Sequence, residues 1–110
     1  MPTGRQPMST FHVLESSPAS LKIRLGTHGL DGEADDLFRF VKPAVQRRQH
    51  QEIVIDGEEA YVVSLEGVAT LIRLLRSADE AGVRFVLTDP HPVLRRKLEL
   101  TGVLDLLTDS

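Results

Sequence analysis

Apolar positions change their period along the chain, and each period names the element that carries it. Leu21, Ile23 and Leu25 alternate with Lys22 and Arg24, the two-residue repeat of a strand buried on one face. A shorter run from Thr10 to Glu15 precedes them across Ser16-Ser17-Pro18-Ala19-Ser20, so the two are expected to form a hairpin that opens a sheet. After Gly26-Thr27-His28-Gly29 the spacing lengthens. Leu30, Ala34, Leu37, Phe38, Val41 and Val45 recur every three or four residues, which predicts a helix from Gly32 to Gln49. Pro43 lies inside that span without an amide hydrogen to donate, so a kink or short break is expected near Val41 or Lys42.

Glu52-Ile53-Val54-Ile55-Asp56 is short and β-branched, fit for a central strand buried on both faces, and Gly57 ends it. A second amphipathic segment runs from Ser64 to Ala81, with Leu65, Val68, Leu71, Ile72, Leu75 and Ala78 inward and Arg73, Arg76, Asp79 and Glu80 outward. Ser64 is its natural N-cap, and Gly82 is the residue that leaves its C-terminus. Arg84 to Thr88 reads as the next strand. Pro92 is a good first helical residue after Asp89-Pro90-His91, so a last helix runs from Pro92 through Thr101 with Val93, Leu94 and Leu98 inward. Gly102-Val103 then has the form of a Schellman ending, followed by a short strand or half-turn from Val103 to Leu107. The order β-β-α-β-α-β-α predicts an α/β domain with mostly parallel pairing beyond the hairpin. In such folds the rim where strand ends meet helix N-termini is where sites form.

Composition narrows the functional classes. A chain of 110 residues suits a single domain over residues 10–110, preceded by a flexible tail at 1–9 that holds two Pro, one Gly and no apolar period. With no cysteine there is no disulfide framework, thiolate metal site or cysteine nucleophile. A formal charge of -3, with four Phe, one Tyr and no Trp, argues against nucleic-acid binding by phosphate neutralisation or base stacking. The N-terminus has no apolar signal region, and no apolar run approaches the roughly 18 residues that span a bilayer. The expectation is a cytoplasmic protein with no direct membrane insertion.

Candidate chemistry is sparse. His12, His28, His50 and His91 show none of the paired spacings that build metal sites. Asp31, Glu33, Asp35 and Asp36 cluster where acids complement the positive end of a helix, and Glu58 and Glu59 follow Gly57 in a solvated turn. Thr27-His28-Gly29 with Asp31 lacks a nucleophile elbow, and no glycine-rich phosphate loop occurs. Arg95-Arg96-Lys97 reads as a solvated helix face. No constellation supports turnover, so neither an enzyme nor a cofactor is expected.

The stretch Asp89-Pro90-His91-Pro92-Val93-Leu94-Arg95-Arg96-Lys97-Leu98-Glu99-Leu100-Thr101-Gly102-Val103 resembles the strand, proline, P-x-V-x-R-x-L-x-L-x-G-L pattern of the STAS family, named for sulfate transporters and anti-sigma factor antagonists. Ile53-Val54-Ile55-Asp56 looks like that family's central strand, Gly67-Val68 like its G-L-x-x-L segment, and Leu25-Gly26 with Asp31 like a diverged G-E-L-D turn. The resemblance implies a mixed four- or five-stranded sheet with helices mostly on one face. It also implies a functional centre at the loop before the second helix, usually D-S-S-G or D-S-T-G, whose first Ser or Thr a partner kinase phosphorylates. Here the aligned residues are Ser64-Leu65-Glu66-Gly67, so Leu65 occupies the acceptor position and the usual switch residue is missing. If the loop slides by one, Ser64 becomes the possible phosphoacceptor. The implied surface comprises Ser64, Leu65, Glu66 and Gly67 with Thr70 and Arg73 on the helix that follows. The implied partner is an anti-sigma factor or its related Ser/Thr kinase, or alternatively the ATPase of a lipid-transporting ABC complex.

Overall fold

The computed structural model describes residues 11–31 and 34–108, so the tail expected at 1–9 and Glu33 of the acidic cluster lie outside the described residues. Strands β1 (Phe11–Ser16), β2 (Ser20–Leu25), β3 (Glu52–Asp56) and β4 (Arg84–Thr88) form one sheet in the order β1-β2-β3-β4. β1 runs antiparallel to β2, whereas β2, β3 and β4 are parallel. Helices α1 (Ala34–Gln46), α2 (Leu65–Ala81) and α3 (Pro92–Leu100) follow the second, third and fourth strands, and a single turn, α4 (Leu104–Leu107), closes the chain. The mixed α/β order expected from the periods is therefore present, with α4 in place of the short strand or half-turn.

One face of the sheet carries the core. Leu21, Ile23 and Leu25 of β2, Ile53 and Ile55 of β3, and Phe85 and Leu87 of β4 join Leu37, Val41 and Val45 of α1, Leu71 and Leu74 of α2, Leu94 and Leu98 of α3, and Leu107 of α4 in a single cluster. Each such side chain removed from water contributes on the order of 1.5–3 kcal/mol. The opposite face is the more exposed one over β2 and β3, whereas at β4 Val86 is buried, beside a pocket it shares with Leu104 of α4 and Thr108. β3 accordingly alternates, with Ile53 and Ile55 buried and Glu52, Val54 and Asp56 half-exposed, which corrects the expectation of a strand buried on both faces. Arg24 on that open face pairs with Asp56 at 3.2 Å across the β2–β3 register.

Two further expectations change. α1 passes through Pro43 without a break, because proline removes one ladder bond on an exposed stretch of the helix. Its end comes at Gln46 rather than Gln49, where Arg48 turns left-handed at φ 52 and the amides of Arg48 and Gln49 bond back to the carbonyls of Val45 and Ala44. That is a Schellman ending without a glycine, so the sequence carried no stop signal there. α2 and α3 end in the same way at Gly82 (φ 74) and Gly102 (φ 75).

On α2 the inward stripe is Val68, Leu71, Leu74 and Ala78, with Ile72 and Leu75 half-buried; Leu65, expected inward, is 79% exposed. On α3, Val93 likewise faces outward at 41% exposure, while Leu94 and Leu98 are fully buried. In both helices the misplaced residue sits in the first turn.

Two measurements check this account. Arg48→Gly should raise stability by about 0.5–1 kcal/mol, since glycine adopts the left-handed region without the Cβ penalty. Leu74→Ala should lower it by about 2–5 kcal/mol, whereas Leu65→Ala should change it by less than about 0.5 kcal/mol. Urea denaturation of the three variants with unchanged m-values reads all of these directly.

Candidate functional site

Because β2, β3 and β4 are parallel, the loops that leave their C-terminal ends share one rim. The loops after β2 and β3 are stitched together. The amide of Val62 donates to the carbonyl of Thr27 at 3.2 Å, Leu30 and Val63 form an isolated parallel bridge, and the amide of Ser64 donates to the carbonyl of Leu30 at 2.9 Å. The spacing of Leu30 predicts a place on the first helical face; it is instead a fully buried loop residue and an anchor of the rim.

Ser64 caps α2 from this anchored position. Its Oγ accepts from the Gly67 amide at 3.1 Å and donates to the Leu30 carbonyl at 3.3 Å. Both capacities of the hydroxyl are therefore engaged. Gly67 explains how the helix comes so near: a Cβ there would stand 1.9 Å from the Leu30 carbonyl oxygen, so only a hydrogen on this carbon is compatible with the contact.

The remaining predicted site residues divide between surface and interior. Leu65 and Glu66 are exposed in the first turn of α2, and Arg73 lies exposed two turns on with its guanidinium 4.6 Å from the Phe38 ring centroid. Thr70 is only 1% exposed and Gly67 is buried. This corrects the expectation that both lie on the surface a protein partner touches: Gly67 packs on the backbone of Leu30, and Thr70 lines the groove between α1 and α2.

The third rim loop is joined to the second by contacts that the sequence pattern does not announce. The carbonyl of Gly57 accepts from the amides of Ala60 and His91 at 3.2 and 2.9 Å, which ties the β3 and β4 loops together. A side chain at Gly57 would meet Leu94 at 2.9 Å and Leu87 at 3.1 Å. His91 caps α3, its Nδ1 accepting from the Val93 amide at 3.1 Å, and its ring lies against Tyr61 with centroids 5.2 Å apart. Proline at the first helical position was the signal for that helix start; nothing in the sequence marks histidine as its cap.

The four histidines do not converge, and among the described residues no group of three His, Cys, Asp or Glu side chains is placed to hold a metal ion. Asp35 and Asp36 stand in the first turn of α1, as acids complementing a helix start do. Arg95 is paired with Glu99 at 3.6 Å on the outer face of α3. Among the described residues no helix is long and apolar enough to cross a membrane.

A four-stranded mixed sheet covered on one face by helices, with its loops gathered at the start of α2, defines a class of small α/β domain. The chain belongs to the STAS domain family, whose model matches residues 14–109. Among solved structures it is similar to the anti-sigma factor antagonist SpoIIAA in its unphosphorylated form, with TM-score 0.77 and 17% identity over 90% of this chain and 85% of that one. It is also similar to the Bacillus cell fate determinant SpoIIAA in the phosphorylated form, with TM-score 0.72 and 21% identity over 90% and 88% of the two chains. The NMR structure of the protein TM1081 superposes with TM-score 0.68 at 13% identity, over 99% of this chain and 84% of that one. No curated protein sequence matches the chain.

The close contact at Gly67 makes a sharp test of the rim. Gly67→Ala is expected to cost about 3 kcal/mol or more, because the backbone at Leu30 must give way. Ser64→Ala, which removes only the cap, should cost about 1 kcal/mol. Thermal unfolding of the two variants should rank them in that order.

Proposed function

We propose that this domain is a non-catalytic protein-protein interaction module of the anti-sigma factor antagonist kind, acting in the cytoplasm without a phosphorylation switch at the start of α2. One observation carries the reading: Leu65, at the position the resemblance assigns to the phosphoacceptor, is 79% exposed at the first residue of α2. An apolar side chain held out from a rigid helix start suits a protein contact that excludes water. It offers no hydroxyl to a kinase.

Ser64 is the remaining hydroxyl in that loop. Its oxygen already accepts from Gly67 and donates to Leu30, so a phosphoryl group would replace the donated hydrogen bond with a repulsive pair of oxygens. The contact surface in this reading is Leu65 and Glu66, with Arg73 farther along the same helix and Ser64 and Gly67 holding its shape from beneath.

The partner is an anti-sigma factor or a related Ser/Thr kinase. Loss of the acceptor also suits an accessory subunit on the ATPase of an ABC transport complex, where no phosphorylation is needed. Affinity purification from the source cells at low salt, with mass spectrometry of both the partners and the intact bait, separates the two. Recovery of an anti-sigma factor or kinase with an unmodified bait is the expected result. An ABC ATPase with its permease would move the protein to transport, and a phosphate on Ser64 would overturn the account of the loop. With the recovered partner, Leu65→Asp should weaken binding by about tenfold or more while the melting temperature stays within about one degree. Equal loss of binding and stability would place Leu65 in the core.

A further inference from the structure

His91 ties the loop after β4 to the loop after β3 through its backbone and its ring together. Its amide donates to the Gly57 carbonyl at 2.9 Å, its carbonyl accepts from the Arg95 amide at 2.8 Å, and its ring lies against Tyr61 with centroids 5.2 Å apart. The same ring caps α3, because Nδ1 accepts from the Val93 amide at 3.1 Å. A backbone amide can only donate, so that bond requires a lone pair on Nδ1 and therefore a neutral imidazole. Tyr61, held against this ring, is 49% exposed and stands in the loop that leads to the Ser64 cap of α2.

Protonation removes that lone pair. The imidazolium carries a hydrogen on both nitrogens, so Nδ1–H would face the Val93 N–H, and the positive end of α3 repels the added charge. The charged groups on the segments that meet His91 are Glu58 and Glu59 beside Gly57, Asp89 just before the ring, Arg95 one turn along α3, and Asp105 across the pocket that Pro90 lines. Arg95 is held by Glu99 at 3.6 Å. Among the described residues none of these carboxylates is paired with a cation, so they are open to one. A proton on His91 therefore finds favourable charges around it and no place in the cap.

We propose that His91 is a proton-sensitive latch between the β3 and β4 loops. Neutral, it caps α3 and holds Tyr61; protonated, it leaves the Val93 amide for the neighbouring carboxylates and releases Tyr61. Histidine is the side chain whose ordinary charge change falls between about pH 5 and pH 8. The Ser64 cap and the Leu30 anchor are built from a hydroxyl and backbone groups, so they stay in place while the exposed aromatic beside them is freed. The latch concerns the rim's own conformation and does not depend on the partner proposed above.

The test is an NMR pH titration of the full-length ¹⁵N,¹³C-labelled chain from about pH 8 to about pH 5, followed at the His91 ring, the Val93 amide and the Tyr61 ring. Coincident midpoints are expected at all of them. The Val93 amide proton should move upfield, and its solvent exchange, corrected for the intrinsic effect of pH, should rise about fivefold as a cap of ordinary strength is lost. His91→Asn supplies an uncharged acceptor for the same cap, so the steps at Val93 and Tyr61 should vanish, while any step due to His28, which lies beside Asp31 on the β2 loop, persists. Tyr61→Ala should keep the Val93 step, because His91 makes the cap alone. A Val93 amide whose corrected exchange stays constant while the His91 ring takes up its proton would overturn the proposal, and so would a Val93 step that survives in His91→Asn or disappears in Tyr61→Ala.

Discussion

The start of α2 is held against the backbone of Leu30 at a separation that no side chain on Gly67 would tolerate, and the other loops arrange themselves around that contact. Leu30 is fully buried, bridges to Val63, and offers one carbonyl to both the amide and the hydroxyl of Ser64. Only a few residues separate Leu30 from the first turn of α1 at Ala34, so the same anchor decides where α1 begins and how α1 meets α2. The groove between the two helices is a consequence of that closeness at one end and of alanines at Ala34 and Ala69 along its walls. A rim built this way is tied together by backbone hydrogen bonds and holds Leu65 and Tyr61 out into solvent. Those are the properties a recognition surface needs from its scaffold.

The sheet is finished differently at its two margins and on its two faces. β1 is an edge strand whose residues are mostly exposed, and its register slips between Val13 and Glu15, leaving Leu14 without a paired Cα on β2. Such a bulge twists an edge away from pairing with another chain. On the open face, opposite charges meet across neighbouring strands, as in Arg24 with Asp56 and Lys22 with Glu15 at 3.7 Å. Over β2 and β3, helices then need to cover only the apolar side. Their three Schellman endings turn the chain back toward the next strand or turn within a residue or two.

Much of this architecture was legible in the sequence because period, caps and breakers agreed. The alternation of Leu21, Ile23 and Leu25, the β-branched run at Ile53 to Ile55, the Ser64 cap and the glycines at Gly82 and Gly102 all lie where they were expected. The misreadings share a cause. Leu65 and Val93 carry an apolar period into an exposed first turn and Leu30 carries it ahead of the helix altogether, and periodicity cannot say where a helix enters or leaves contact with the core. Arg48 shows the complementary failure: it takes a conformation in which glycine is expected, so the end of α1 was set by packing rather than by local preference. In the site, the resemblance located the loop, but the engagement of the Ser64 hydroxyl and the burial of Thr70 depend on α1 and on Leu30, which are distant in sequence.

The chemistry of a helix start explains why this rim is a poor place for a phosphate. Phosphate at an α2 N-terminus would act through free amides and added negative charge. Here the Gly67 amide is taken by Ser64 Oγ and the Val68 amide by the Ser64 carbonyl, and the first-turn surface already carries the carboxylate of Glu66. A further anion at that point would meet repulsion from Glu66 and fewer available donors. Glu66 and Arg73 are exposed about a quarter-turn of α2 round from Leu65, so a charged stripe and an apolar side chain flank one another on the helix without either taking part in the cap that holds it in place.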